Sequence, residues 1–161
     1  MGWIEDVKGK IVCLDTAPVI YYLEAGLPEY KKALDPFFDM VAEDKCLAVT
    51  SAMALLEGLV LPFRNNDAWL IRRYRNFFYG TRIKMAEITT EIAEQASRLR
   101  ASYTDINLKS PDAIQIATAL QMKADFFLTN DKQLSSISEI KVLILDDLKA
   151  KPGLDAQTMD S

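Results

Sequence analysis

The 161-residue sequence predicts an α/β fold, a three-layer α/β/α sandwich around a mostly parallel, about five-stranded sheet. Two observations predict this class. Short apolar runs alternate with segments of helical periodicity, which is the order of strands joined by crossover helices. The runs are apolar at consecutive positions, as expected of strands buried on both faces. These predicted strands span residues 11–14, 46–49, 83–86, 126–128 and 142–145.

The first long helical pattern lies between the first two predicted strands. Apolar residues recur every three or four positions over residues 34–41. We expect Pro36 to start or kink this helix, with Asp35 as its cap, because proline suits the first turn of a helix and disrupts its interior.

Three further helical patterns follow along the chain. Apolar and aromatic residues repeat at helical spacing over 70–78 and again over 92–99, where Thr90 is the predicted N-cap. The pair Ser110-Pro111 opens the last pattern. We expect one domain over residues 11–148, an N-terminal extension at 1–10, and a flexible polar tail at 149–161.

The composition excludes several kinds of chemistry. The chain has no histidine, and its two cysteines, Cys13 and Cys46, do not have CxxC spacing. This excludes a serine or cysteine nucleophile paired with histidine, a histidine general base and nearly every zinc site built from His and Cys. We expect both cysteines to be buried apolar residues. Polar chemistry must therefore depend on carboxylates, lysines, hydroxyls or a hard cation.

The charge and hydropathy bound the possible partners. The net charge of −4 and pI of about 4.9 argue against a broad nucleic-acid-binding surface, so a polyanion would need a local basic patch. The sequence has no apolar run of roughly 18 residues and no signal-peptide pattern at its start. We therefore expect no membrane association and a cytoplasmic location.

Two aspartates directly follow predicted strands. Asp15 ends the first apolar run, and Asp131 comes shortly after the fourth. Ligands of open parallel sheets bind beyond the carboxyl ends of the strands, so both aspartates are candidates for a functional site. Each also has an ordinary alternative, Asp15 as the N-cap of a helix and Asp131 as a turn or cap residue.

Two further acids lie in predicted helices. Asp112 lies in the first turn of the last helix, where a carboxylate also suits the helix dipole. Glu57 interrupts a segment that is apolar nearly all round, so we expect a buried helix in which this carboxylate needs a partner or a metal. No basic residue lies within one turn of it. The pair Asp146-Asp147 also follows a predicted strand, but it lies close to the polar tail and is left out of the site.

Four carboxylates gathered at strand ends and helix starts repel one another unless a divalent cation lies between them. Mg²⁺ and Mn²⁺ prefer oxygen ligands and keep waters that reach a substrate phosphate. A cation held in this way activates a water and stabilises phosphoryl transfer without histidine. The sequence therefore predicts a Mg²⁺ or Mn²⁺ site at Asp15, Glu57, Asp112 and Asp131.

These motifs resemble those of a known family, the PIN-domain ribonucleases, and especially the VapC-type toxins of bacterial toxin–antitoxin pairs. As in that family, Asp15 closes the first strand and Glu57 lies in an apolar helix after a Ser or Thr, here Ser51. Asp112 opens an alanine-rich helix, and Asp131 belongs to a Thr-Asn-Asp signature after a strand. All four positions carry the expected acid, in order, over residues 11–145.

The resemblance implies a PIN fold, dependence on Mg²⁺ or Mn²⁺, and cleavage of RNA by a metal-activated water. It implies that Asp15, Glu57 and Asp112 hold the principal cation and that Asp131 completes the cluster. A cognate antitoxin and a homodimer are further implied partners. The supporting residues are Thr16, Thr129 and Asn130.

A basic and aromatic stretch follows Glu57. Six basic residues and one acid lie between Arg64 and Lys84, interleaved with aromatic residues. One interpretation is a core helix with buried aromatics and solvated arginines. The others are a groove for RNA phosphates and a surface for an antitoxin or a second subunit. The candidate contacts are Arg72, Arg73, Arg75 and Arg82.

Other classes of protein fit less well. A phosphohydrolase of the haloacid dehalogenase type also places an Asp after the first strand, but it needs a second Asp where this chain has Ala17. A receiver domain is a poor match. The remaining alternative is a catalytically silent PIN-fold module that binds RNA or protein, although such members usually lose acids and this chain keeps all four. Metal-dependent cleavage distinguishes this module from a nuclease.

Overall fold

The computed structural model describes residues 2–149, and a five-stranded sheet lies at its centre. All four strand pairings are parallel. This confirms the predicted α/β class, and the predicted strands are found with ends shifted by at most two residues. The strands are β1 (Ile11–Leu14), β2 (Leu47–Ser51), β3 (Ile83–Ala86), β4 (Phe126–Thr129) and β5 (Lys141–Ile144), in the spatial order β3-β2-β1-β4-β5.

Helices connect the strands and cover both faces of the sheet. In chain order they are α1 (Trp3–Val7), α2 (Thr16–Leu23), α3 (Pro28–Ala42), α4 (Ala52–Arg64), α5 (Ala68–Tyr79), α6 (Thr90–Ser102), α7 (Ser110–Gln121), a 3-10 helix (Lys132–Ser136) and α8 (Leu145–Leu148).

Two apolar cores lie on opposite faces of the sheet. Alternation along β1 sends Val12 and Leu14 into one core and Cys13 into the other. The first core is closed by residues of α1, α2, α3 and α5, and the second by residues of α6 and α7. Burial on both faces explains why the central strands β1 and β4 are apolar at consecutive positions. Both Cys13 and Cys46 are buried and unpaired, as predicted.

The first long helix differs from the prediction. It begins at Pro28 and Pro36 lies inside α3, so of the two alternatives given for Pro36 the helix start is wrong. Pro36 is exposed, so water can satisfy the carbonyl group that its missing N–H leaves unpaired. Asp35 is not a cap; its carboxylate instead accepts a 2.8 Å hydrogen bond from Lys31 one turn earlier.

The N-cap of α6 is Thr89 and not Thr90, because the Thr89 hydroxyl accepts the Ile92 N–H at 3.2 Å.

Within the predicted N-terminal extension, Trp3 and Val7 are buried, and Trp3 stacks on Phe37 with ring centroids 5.6 Å apart.

Two expectations concern the membrane and the tail. No helix within residues 2–149 combines the length and the apolar character needed to cross a bilayer. The predicted flexible tail lies, from residue 150 on, outside the described residues.

Candidate active site

The carboxyl ends of β1 and β4 form the centre of the candidate site. β2 and β4 lie on opposite sides of β1, so the connections that leave β1 and β4 diverge. Such a switch point opens a crevice at the carboxyl edge of a parallel sheet, where ligands bind. Asp15 directly follows β1, and Asp131 lies two residues beyond β4.

Both carboxylate oxygens of Asp15 are engaged. Oδ1 accepts the Thr16 N–H at 2.7 Å as the N-cap of α2, and Oδ2 accepts the Thr129 hydroxyl at 2.7 Å. Burial raises the pKa of Asp15 to about 6; the two hydrogen bonds oppose this, and the negative charges of Asp112 and Glu57 add to it. Asp15 therefore caps α2 and also lies among the other candidate acids.

Asp131 is held by the same threonine. The Thr129 hydroxyl oxygen accepts the Asp131 N–H at 3.1 Å, and Asp131 Oδ1 accepts the Gln133 N–H at 3.1 Å as the cap of the 3-10 helix. Thr129 is fully buried, so its hydroxyl has a fixed environment. It connects the two aspartates that follow β1 and β4.

Glu57 lies on α4, but the prediction that this helix is buried all round is wrong. Ala54, Gly58 and Pro62 face the protein, whereas Glu57 and the two leucines Leu56 and Leu61 are exposed. The apolar character of the segment reflects an uncovered face and not complete burial. Glu57 is nevertheless held near the crevice, because its Oε1 accepts the Thr16 hydroxyl at 2.8 Å.

Asp112 comes to the same region from the first turn of α7. Burial raises its pKa, the charges of Asp131 and Glu57 raise it further, and Lys109 lowers it. Asp112 is half-buried. Its interactions with Asp131 and Glu57, together with those of Asp15, place all four predicted acids in one electrostatic group.

The donor set fits a hard divalent cation by its chemistry, since it offers carboxylate oxygens and an excess of negative charge. Within the described part of the chain, no three acidic or cysteine side chains converge closely enough to hold a metal ion as they stand. Convergence on one ion therefore requires side chains to turn, which the exposed Glu57 and the half-buried Asp112 and Asp131 have room to do.

The predicted supporting residues have different contacts. Thr16 and Thr129 touch the acids directly. Asn130 instead makes hydrogen bonds to neighbouring segments. Its Oδ1 accepts the Asp146 N–H at 2.9 Å, and its amide donates to the Tyr30 hydroxyl at 3.4 Å. The Tyr30 hydroxyl also donates to the Asp146 carboxylate at 2.5 Å. Asp146 therefore belongs to this group of loop contacts and not to the four candidate acids.

Gln115 also contacts the site, although its sequence position did not predict this. It is fully buried one turn after Asp112, and its Nε2 donates to the Thr16 hydroxyl oxygen at 3.0 Å. An amide on a helix one turn from an acid is unremarkable in sequence. The signal available was its position among alanines and isoleucines on the buried face of α7.

The four candidate arginines are divided by the fold. Arg72, Arg73 and Arg82 line a groove of about 580 Å³ that also includes Tyr22, Phe38, Trp69 and Phe77. Arg75 does not line it and lies over the Phe63 ring at 5.7 Å. The groove borders the amino end of β3, at Ile83, whereas the acids lie at the carboxyl edge of the sheet.

The aromatic residues of this stretch are divided as well. Tyr74 and Phe78 are buried in the first core, as the core-helix interpretation expects. Trp69 is 68% exposed and Tyr79 is 66% exposed, which that interpretation does not expect.

Comparison with known proteins supports the fold and the family. Residues 12–140 match the family model described as PIN domain. A toxin–antitoxin complex from Klebsiella pneumoniae is similar at 25% identity and a TM-score of 0.63, covering 83% of this chain and 97% of that one. No curated protein sequence matches the chain significantly.

Two further structures share the fold. VapC20 of Mycobacterium tuberculosis, described as a toxin that cleaves the sarcin-ricin loop, is 18% identical with a TM-score of 0.64, covering 81% of this chain and 98% of that one. FitAcB of Neisseria gonorrhoeae is 20% identical with a TM-score of 0.62, covering 85% and 99%. The family model spans most of the chain and includes all four candidate acids. The chain therefore belongs to the PIN domain family.

Proposed function

We propose that the chain is a ribonuclease that depends on Mg²⁺ or Mn²⁺ and hydrolyses phosphodiester bonds within RNA, as the toxin of a toxin–antitoxin pair. The observation that carries the proposal is the group of four interacting carboxylates, drawn from four separate segments, at the switch point of the sheet. Such a group is unfavourable without a cation. Membership of the PIN family and the similarity to a loop-cleaving toxin support RNA as the substrate.

The roles of the acids follow from their positions. Asp15, Glu57 and Asp112 would hold the cation, and Asp131 would complete the cluster. When bound, such a cation supplies a water of lowered pKa and neutralises charge on the phosphate. Thr129 positions Asp15 and Asp131, and Thr16 positions Glu57. Because the chain has no histidine, the rate should rise with pH without an inflection from imidazole.

The groove beside α5 supports a protein partner. Its wall combines the aromatic rings of Tyr22, Phe38 and Phe77 with the guanidinium groups of Arg72 and Arg82. This chemistry suits an amphipathic segment with acidic residues, and similar structures are toxin–antitoxin complexes. The proposal assigns the groove to an antitoxin and the carboxyl edge of the sheet to RNA.

The exposed face of α4 supports a homodimer. Leu56, Val60 and Phe63 recur at helical spacing and are 59%, 42% and 49% exposed. Contiguous apolar surface of this kind marks interaction sites in otherwise ordinary proteins. The two buried, unpaired cysteines suit a reducing compartment, so the proposal places the enzyme in the cytoplasm.

Cleavage of a labelled, mixed single-stranded RNA pool tests this function. The purified full chain is incubated with the pool in Mn²⁺, in Mg²⁺ and in EDTA. We expect cleavage with either cation and none in EDTA. Retention of RNA in EDTA without cleavage in any condition would instead favour the catalytically silent RNA-binding module.

A further inference from the structure

Gln115 has an unusual environment for a buried amide. The residue is fully buried in α7, and its Oε1 has no hydrogen-bond partner within residues 2–149. A buried polar atom without a partner is costly, and such atoms are rare in folded proteins. An apolar residue of the same size would avoid this cost. The amide therefore needs a reason other than stability.

The reason lies in the contacts of its other end. Gln115 Nε2 donates to the Thr16 hydroxyl oxygen at 3.0 Å, and the Thr16 hydroxyl contacts Glu57 Oε1 at 2.8 Å. An ionised carboxylate only accepts hydrogen bonds, so the single Thr16 proton must point to Glu57. The Thr16 oxygen can then only accept from Gln115. The two hydrogen bonds therefore run in one direction, from Gln115 to Thr16 and from Thr16 to Glu57.

These two hydrogen bonds connect three helices at the candidate site. Gln115 lies on α7, one turn after Asp112, while Thr16 opens α2 and Glu57 lies on α4. Within the described residues, the bond from Thr16 is the one hydrogen bond that the Glu57 carboxylate makes. Glu57 is exposed, and a free glutamate side chain samples many rotamers. Holding it in one orientation lowers the entropy lost when the carboxylate binds a ligand.

We propose that Gln115 is a positioning residue that acts through Thr16 to hold Glu57 toward Asp112, and so raises the affinity of the acid cluster for a divalent cation. The identity of the cation rests on the proposed function; the hydrogen-bonded chain does not. Residues that orient metal ligands from outside the ligand set typically change metal affinity by about 10- to 100-fold when altered.

The test is the affinity of the full chain for Mn²⁺ alone, measured by calorimetric titration without RNA. Gln115→Met keeps the size of the side chain and removes its amide. We expect Mn²⁺ affinity to fall about tenfold. In EDTA, the free energy of unfolding should be unchanged or higher, because the unpartnered Oε1 is gone. A merely structural role for Gln115 predicts the opposite pattern, with lower stability and unchanged affinity.

A double-mutant cycle tests whether Gln115 acts through Thr16. Thr16→Val should weaken Mn²⁺ binding, whereas Thr16→Ser, which keeps the hydroxyl, should not. Adding Gln115→Met to Thr16→Val should cause no further loss, because the two residues share one path. Fully additive losses would overturn the proposal, and so would an unchanged Mn²⁺ affinity in Gln115→Met.

Thr118→Val provides a matched control on the same helix. Thr118 is also fully buried, but its hydroxyl donates to the Ile114 carbonyl of its own helix at 2.7 Å. Its Mn²⁺ affinity should equal that of the wild type. Wild-type protein that binds no Mn²⁺ would overturn the metal site itself together with this proposal. Wild-type binding that Gln115→Met leaves intact would overturn the positioning role alone.

Discussion

The hydroxyl of Thr129 donates a 2.7 Å hydrogen bond to Asp15 Oδ2, although the two residues are 114 positions apart in the chain. The same hydroxyl oxygen accepts the backbone N–H of Asp131 at 3.1 Å. One buried side chain on β4 therefore fixes two of the four candidate ligands relative to each other.

Thr129→Val should separate this role from stability. The substitution keeps the shape but leaves Asp15 Oδ2 and the Asp131 N–H without their partner. We expect about 1–2 kcal/mol of lost stability, and about a 10- to 100-fold loss of metal-dependent RNA cleavage. Urea unfolding and cleavage rates measure the two effects.

Thr50→Val is the matched control for that variant. Thr50 is equally buried on the neighbouring strand β2, and its hydroxyl donates to the Leu14 carbonyl at 2.9 Å. It should lose similar stability and retain cleavage. Equal losses of cleavage in both variants would show that Thr129 acts only through stability.

The metal-free protein should lose stability as the pH rises through the pKa of Asp15. This pKa is about 6 in the folded protein against an ordinary value of 3.8. Because the folded pKa is raised, the stabilising contribution is fully present below the ordinary value and is lost as the pH passes the folded one. The whole effect amounts to about 3 kcal/mol.

Asp15→Asn removes this titration. In EDTA, the free energy of unfolding of Asp15→Asn should increase relative to that of the wild type between about pH 4 and pH 7, because the wild-type carboxylate ionises over this range. Asp39→Asn, on the exposed side of α3, should track the wild type throughout. A difference between Asp15→Asn and wild type that does not change with pH would contradict the raised pKa.

Gly58→Ala should destabilise the protein despite adding a better helix former. A Cβ at Gly58 would lie 2.7 Å from Cε1 of Tyr74, a fully buried ring whose hydroxyl bonds Glu24. Overpacking of this kind costs about 1–3 kcal/mol, which equals or exceeds the roughly 1 kcal/mol gain in helix propensity. Urea unfolding gives the sign. Gly26→Ala, where no atom lies within 4 Å of the added Cβ, should be nearly neutral.

The groove arginines should be dispensable for RNA. Arg72→Glu combined with Arg82→Glu reverses charge in the groove, which lies away from the carboxyl edge of the sheet. RNA affinity in EDTA, measured by fluorescence anisotropy, should match that of a control pair, Lys32→Glu with Arg98→Glu, whose side chains are exposed on α3 and α6. A tenfold loss confined to the groove pair would reassign the groove to RNA.

The sheet and the location of Asp15 and Asp131 at the ends of strands were predictable from sequence for local reasons. Strands buried on both faces are apolar at consecutive positions, and the carboxyl ends of parallel strands meet at one edge. Asp15 and Asp131 were therefore expected at the same edge of the sheet, whereas the adjacency of β1 and β4, which brings them close together, is a property of the tertiary structure. The environment of Glu57 was not predictable in this way, because an apolar pattern does not reveal whether a neighbour covers each face of a helix.

The contacts that shape the site depend on the tertiary structure. Gln115 and Thr16 are 99 positions apart, and no local pattern connects them. The sequence alone favours a helix start or a kink at Pro36, because the position of this residue on the solvent side of α3, where a missing hydrogen bond is tolerated, depends on how the helix packs. Local rules identified the candidate acids, whereas packing determines which hydroxyls and amides orient them.

The proposed function requires the four acids to act as one metal-dependent site. The direct measurement is the Mn²⁺-dependent rate of RNA cleavage for the four single variants beside the control Asp39→Asn. Each site variant should lose at least about 100-fold, while the control retains the wild-type rate. Wild-type rates in Asp112→Asn, or equal cleavage in EDTA, would contradict the account. The four variants are Asp15→Asn, Glu57→Gln, Asp112→Asn and Asp131→Asn.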